Sequence, residues 1–220
     1  MIPPLPPACS GTLNTLTIGN GHADTLLVLL AGACDRPQDF VSAGFIDALH
    51  ASARDIDLIL VESDLAAVCD GSLPARLEAE VLAPARSRGY RRVLSGGISI
   101  GALTALMHAD TFPAGSDGLV LLAPYPGDRT VTGEIAAAGG VGAWAGDGDY
   151  AANDERRGWR ALKRLGADGQ PPWLGYGSAD RFASGHALMA AALPPGATCV
   201  PPGGHDWPTW LALWQHWLKQ

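Results

Sequence analysis

Short, almost wholly apolar runs recur along this chain, each closed by a glycine, proline or aspartate cluster, with longer Ala- and Leu-rich stretches between them. A run that is apolar at successive positions must bury both of its faces, as a strand does inside a parallel sheet covered by helices on either side. The fold class is therefore α/β, with a mostly parallel central sheet flanked by helices. Residues 25–31 (TLLVLLA) form the clearest buried strand, and residues 56–61 (IDLILV), 92–95 and 119–123 follow at strand length. Residues 13–18 suit an earlier edge strand, and 172–177 and 197–201 complete the predicted sheet. Between them, 39–52, 73–89 and 100–109 carry apolar residues at helical spacing, with Gly89 as a stop.

At 220 residues the chain suits one domain spanning 1–220. The stretch 127–170 departs from the alternation. It is glycine-rich and carries Asp147, Asp149, Asp154 and Glu155 ahead of Arg156, Arg157, Arg160, Lys163 and Arg164. It reads as a small lid-like insertion, with the basic residues on a helix whose charged face is balanced by the acids before it. An alternative use of those cations is as a landing site for a phosphate group.

Composition narrows the function classes. With 47% hydrophobic and 17% charged residues the chain can build a core, and its net charge of −7 offers no cationic excess for nucleic acid. Cys9, Cys34, Cys69 and Cys199 have no paired spacing of the metal-ribbon or thiol-redox kind. No apolar run approaches the ~18–20 residues that cross a bilayer, and the proline-rich start, Met1-Ile2-Pro3-Pro4-Leu5-Pro6-Pro7, lacks the pattern of a secretory leader. The expectation is a cytoplasmic protein with no nucleic-acid or membrane partner, no metal and no cofactor.

Chemistry concentrates at Gly97-Ile98-Ser99-Ile100-Gly101, a Gly-x-Ser-x-Gly sequence between a predicted strand and a predicted helix. A serine at such a turn projects its hydroxyl from the sheet, and the flanking glycines remove side chains that would collide with neighbouring elements. The helix that starts there aims its free N–H groups at the same point, with Ile100 N–H as the first oxyanion donor.

A serine hydroxyl needs a histidine to take its proton and a carboxylate to orient that histidine. Asp180 follows the apolar run at 172–177, and His205 lies in Pro201-Pro202-Gly203-Gly204-His205-Asp206-Trp207-Pro208. The chain order is Ser, Asp, His. Asp128, after the run at 119–123, is the rival acid; among His22, His50, His108, His186 and His216, His186 is nearest Asp180 but reads as a solvated helix residue. Asp206 reads as a helix N-cap. Trp207, Trp210, Trp214 and Trp217 recur at helical spacing and read as core packing. Trp207, with Tyr125, is also a candidate to border a substrate pocket.

With these residues the chain resembles the α/β-hydrolase superfamily, whose nucleophile elbow, acid loop and histidine loop correspond to Ser99, Asp180 and His205. The segment 203–210 is also similar to the histidine segment of bacterial serine esterases such as enterochelin esterases. Where family members carry His-Gly after the third strand, this chain has Leu30-Ala31-Gly32-Ala33-Cys34-Asp35. A second oxyanion N–H is then expected from Ala33 or Cys34. The resemblance implies a serine hydrolase acting on a small-molecule acyl ester. A thioesterase or acyltransferase would use the same three residues, and a non-catalytic binding protein would share the fold alone.

Overall fold

The structure, a computed structural model, describes residues 11–220. The leader expectation at the N-terminus and Cys9 lie outside the described residues.

One seven-stranded sheet organises the chain: β1 (Thr15–Ile18), β2 (Thr25–Leu30), β3 (Ile56–Val61), β4 (Arg92–Ile98), β5 (Leu119–Leu122), β6 (Trp173–Gly175) and β7 (Thr198–Cys199). Their spatial order is β1-β3-β2-β4-β5-β6-β7, with β1 antiparallel to β3 and every other pair parallel. The apolar runs occupy the centre as their composition requires: all six residues of β3 and the last five of β2 are buried.

Strand β4 runs three residues past the expected 92–95. Gly96 and Gly97 look like turn residues, yet like Ser95 they pair with both β2 and β5. Their small size serves close approach, since a Cβ on Gly96 would lie 2.0 Å from the Val120 carbonyl oxygen. The C-terminal strands are shorter than expected, at three and two residues.

The helical expectations hold in outline and break at identifiable residues. Residues 39–52 form two helices, α1 (Pro37–Ser42) and α2 (Phe45–His50), separated at Gly44, whose φ of +87° is left-handed. Asp64 caps α3 (Leu65–Asp70) by accepting from the Ala66 and Ala67 N–H groups. The stretch 73–89 becomes α4 (Leu73–Leu77), a π-helical turn (Glu78–Leu82) and α5 (Ala83–Arg86). Pro84 has no N–H to give the Glu80 carbonyl, which interrupts regular α-helical bonding there.

After β4 comes α6 (Ile100–Thr111), and after β5 come α7 (Arg129–Ala137) and α8 (Arg156–Ala167). Helix α8 connects β5 to β6 and packs along α6, with Trp159 fully buried. The second part of the 127–170 stretch therefore belongs to the helical layer that covers the sheet. Helices α9 (Ala183–Ala190) and α10 (Trp207–Trp217) complete the chain, and Trp210, Trp214 and Trp217 are buried as expected.

Candidate active site

The strand order reverses direction at β2: the chain moves outward to β3, then returns past β2 to β4 and onward. In open α/β sheets the crevice for ligands lies at the carboxyl ends of the strands beside such a reversal. Ser99 follows β4 there, and the Gly32-to-Asp35 turn follows its neighbour β2.

Ser99 has φ 54° and ψ −116°. Cys34 and Ala123 also have positive φ, 65° and 46°. These residues stand after β2, β4 and β5, three adjacent strands, so left-handed backbone at non-glycine residues is gathered around one crevice. The bend at Ser99 is fixed by hydrogen bonds from its N–H to the Leu122 carbonyl at 3.0 Å and from the Tyr125 N–H to its own carbonyl at 2.9 Å. Glycines are obligatory on both sides of it. A Cβ on Gly97 would sit 2.6 Å from the Leu30 carbonyl oxygen, and one on Gly101 2.5 Å from the same atom.

The structure brings Ser99, His205 and Asp180 together. Ser99 Oγ lies 2.9 Å from His205 Nε2, and His205 Nδ1 lies 2.7 Å from Asp180 Oδ2. With Nδ1–H donating to the carboxylate, Nε2 is left to accept from the serine hydroxyl. Asp180 is held in turn, because its Oδ1 accepts the Phe182 N–H at 2.8 Å. Its side chain has no exposure, and that of His205 is 8% exposed.

The acid and histidine loops meet through glycine. The Ala179 N–H donates to the Gly203 carbonyl at 2.9 Å, and a Cβ on Gly177 would fall 2.3 Å from that same oxygen. Asp206 caps α10 by accepting from the Thr209 N–H at 3.0 Å. Phe182 and Trp210 each stand edge-on to the imidazole, with centroids at 5.1 Å.

The other sequence candidates fall elsewhere. Asp128 caps α7, its Oδ1 accepting from Thr130 N–H at 2.7 Å and Val131 N–H at 2.9 Å, and these bonds hold its carboxyl below the usual range. His186 is on α9 but is fully buried, which corrects its reading as a solvated residue. Its Nε2–H donates to the Pro124 carbonyl at 2.7 Å, its ring lies against Tyr176, and burial pushes its pKa down. Trp207 packs edge-on against Phe40 and Phe45, while the Tyr125 ring meets Phe182. Ala33 and Cys34 are exposed on the turn after β2.

Two neighbouring carboxyls were not legible in the sequence because nothing local marks them. Asp35 is pushed up mainly by burial and also by Asp39, while the Trp207 side chain and His205 act in the opposite sense. Glu155 is pushed up chiefly by burial and accepts the Asp128 N–H at 2.7 Å. The basic run on α8 is engaged within the chain: Arg157 and Arg160 pair with Asp110 at 3.0 and 2.7 Å, Arg156 with Glu134 at 2.7 Å and Arg164 with Asp168 at 3.5 Å, and Lys163 donates to the Trp144 carbonyl. A hollow of about 700 Å³ lies around Arg54 and Lys219, at the amino ends of the strands and away from Ser99.

No protein-family model matches the sequence, and no curated protein is significantly similar to it. Solved structures do match. Fluorophosphonate-binding serine hydrolase F of Staphylococcus aureus aligns over 95% of this chain and 98% of its own, with TM-score 0.62 and 12% identity. The S-formylglutathione hydrolase of the same organism aligns over 90% and 80%, with TM-score 0.61 and 15% identity. An alpha/beta hydrolase from the metagenome of lagoon sediments at Mar Chica, Morocco, aligns over 96% and 97%, with TM-score 0.59 and 19% identity.

The chain has the α/β-hydrolase fold.

Ser99 stands at the turn between β4 and α6, and Ile100 N–H is among the first-turn amides that have no acceptor within the helix. Among the described residues, no group of three or more His, Cys, Asp or Glu side chains is arranged to hold a metal ion. No helix among them is long and apolar enough to cross a membrane.

Proposed function

We propose that the protein is a serine hydrolase that cleaves small carboxylic esters through an acyl-enzyme on Ser99. The observation that carries this reading is the continuous hydrogen-bonded series Ser99 Oγ, His205 and Asp180 at the carboxyl ends of a parallel sheet. Esterases and serine hydrolases among the structures of the same fold support it.

In this mechanism Ser99 Oγ attacks the acyl carbonyl carbon while its proton passes to His205 Nε2. The carbonyl oxygen, now an anion, accepts from Ile100 N–H and from an N–H of the turn holding Ala33 and Cys34. Collapse of the tetrahedral species breaks the bond to the alcohol oxygen, which leaves with the proton from His205. Water then attacks the acyl-serine, giving its proton to His205, and the carboxylic acid departs as Ser99 recovers its proton. Asp180 keeps the histidine in the tautomer this needs and balances the imidazolium charge. Oriented amides, serine and histidine supply each of these steps from the chain itself.

Four of the five cations of α8 are ion-paired within the chain and Lys163 donates to backbone carbonyls, so they do not favour a thioester with an anionic carrier arm over a plain ester. A cytoplasmic location belongs to the same reading, supported by the free thiols of Cys34, Cys69 and Cys199.

The test is labelling with a fluorophosphonate followed by peptide mass spectrometry, paired with hydrolysis of an aryl acetate. Wild type should carry the adduct on Ser99, and Ser99→Ala should lose both the label and about 10⁴- to 10⁶-fold in rate while keeping its melting temperature. An unlabelled wild-type protein that cleaves no ester would overturn the assignment.

A further inference from the structure

A cavity of about 240 Å³ runs along α6 from Ile100, the residue after Ser99, and plays no part in the steps above. Its inner wall is one face of α6. Ile100, Leu103, Thr104 and Met107 follow the i, i+3, i+4, i+7 spacing that stacks side chains in a stripe, which covers about 10 Å of helix rise. The opposite wall comes from α3 and α4 with the segment before α8, including Cys69, Leu73 and Glu155. The stripe begins at Ile100, the residue whose N–H faces the carbonyl oxygen in the mechanism.

We propose that this cavity holds the acyl chain of the substrate, and that its walls select short, uncharged acyl groups. The inference rests on the ester-hydrolase reading and names the substrate class for it.

Three observations carry it. The first concerns direction. The leaving alcohol must lie against His205 Nε2 to receive its proton, yet no residue of the histidine loop, the acid loop or α10 lines this cavity. The group on the side of Ser99 away from the histidine is the acyl substituent.

The second concerns size. At about 240 Å³ the cavity is smaller than the ~300–1,000 Å³ typical of sites for drug-sized ligands. The Met107 side chain lies at the far end of the stripe, the place where a longer chain would have to stop.

The third concerns charge. No Lys, Arg or His lines the cavity, and its one carboxyl is that of Glu155. Glu155 Oε2 already accepts the Asp128 N–H, and Asp128 and Asp154 add repulsion to the burial that pushes its carboxyl up. The Thr104 hydroxyl is engaged too, donating to the Ile100 carbonyl at 2.9 Å. A carboxylate at the end of an acyl chain would enter apolar walls with no cation to meet it and with an acidic cluster nearby.

The experiment is a series of aryl esters from acetate to dodecanoate, with an aryl succinate monoester as the charged counterpart of the butyrate. Wild type should prefer butyrate or hexanoate to dodecanoate, and should take the succinate monoester at least about tenfold less well than the butyrate. Cys69→Trp, at an exposed position on the rim, should lower the hexanoate-to-acetate ratio of kcat/KM by about tenfold or more, whereas Met107→Ala should move the optimum to longer chains. Val41→Trp, on the exposed face of α1, controls for an added indole and should leave the ratio unchanged. Unchanged ratios in both cavity variants, or equal turnover of succinate and butyrate esters, in a protein that labels on Ser99 would overturn this inference alone. Absence of labelling together with absence of all hydrolysis would overturn it along with the reading on which it rests.

Discussion

The two aspartates that competed for one role differ in what their oxygens already hold. Asp128 accepts from two N–H groups at the start of α7, whereas Asp180 Oδ2 is directed at His205. Asp180→Asn should lower kcat by about 10⁴ through the wrong histidine tautomer, with KM little changed. Asp128→Asn should leave kcat near wild type because asparagine caps equally well, and Asp128→Ala should cost about 0.5–2 kcal/mol of stability in a denaturant titration. The glycines divide on the same logic. Gly97→Ala and Gly101→Ala would drive a methyl group into backbone atoms of β2, so either should lower the melting temperature sharply. Gly133, within α7, has nothing near its absent Cβ, and Gly133→Ala should raise stability by up to about 1 kcal/mol, or roughly 2–4 °C by calorimetry.

At the level of elements, α6 joins the site to a buried acid–base pair near its other end. His108 is fully buried and lies 2.9 Å from Glu78 Oε2, in the π-helical turn, while Arg86 also pairs with Glu78. Burial holds the His108 pKa below its ordinary value, and Glu78 acts against this without reversing it. The unfolded chain therefore binds a proton that the native state refuses, so this contribution to stability is present above about pH 6.5, the unfolded value, and is lost as pH falls below it. Glu78 itself is held low by Arg86 and His108 against its burial, and its contribution is lost in the same direction at more acid pH. Melting temperature should fall between pH 7 and pH 5, and His108→Gln, which can still donate to Glu78, should reduce that fall. An equal slope in the variant would place the proton uptake elsewhere. Because His186 is buried against Tyr176 and bonded to Pro124, His186→Ala should likewise cost stability.

Across the whole molecule, what could be read from the chain depended on how local its cause was. The central strands announce themselves because burial on both faces leaves little but Leu, Ile and Val, and the turn at Ser99 because only glycine fits beside it. The pairing of His205 with Asp180 is legible in the chain order, in the strand before the acid and in the glycines before the histidine, whereas the close approach of Gly177 to Gly203 is not. The length of β4 was not legible, since Gly96 and Gly97 look the same whether they turn the chain or let strands approach. The burial of His186 and the carboxyls of Asp35 and Glu155 depend on residues distant in sequence. So does the place of α8: Trp159 gives the layer its anchor and donates to the Pro126 carbonyl at 2.8 Å, beside Tyr125. Trp159→Ala should cost about 3–5 kcal/mol in chemical denaturation and should lower ester turnover in the protein that remains folded.

The left-handed residues Cys34, Ser99 and Ala123 have a further meaning for anyone wishing to improve the protein's endurance. A non-glycine residue held at positive φ in a sparsely populated region is disfavoured by about 1–3 kcal/mol, so the crevice is a reserve of recoverable stability as well as a place for chemistry. Ser99 cannot be spent. Ala123 donates its N–H to the Gly175 carbonyl at 2.7 Å and has no assigned part in the reaction; glycine there would relax the joint between β5 and the loop bearing Tyr125. The same relaxation would let that loop wander, and the Tyr125 N–H that braces Ser99 with it. Thermal robustness and a firmly held serine are thus set against each other at a single methyl group.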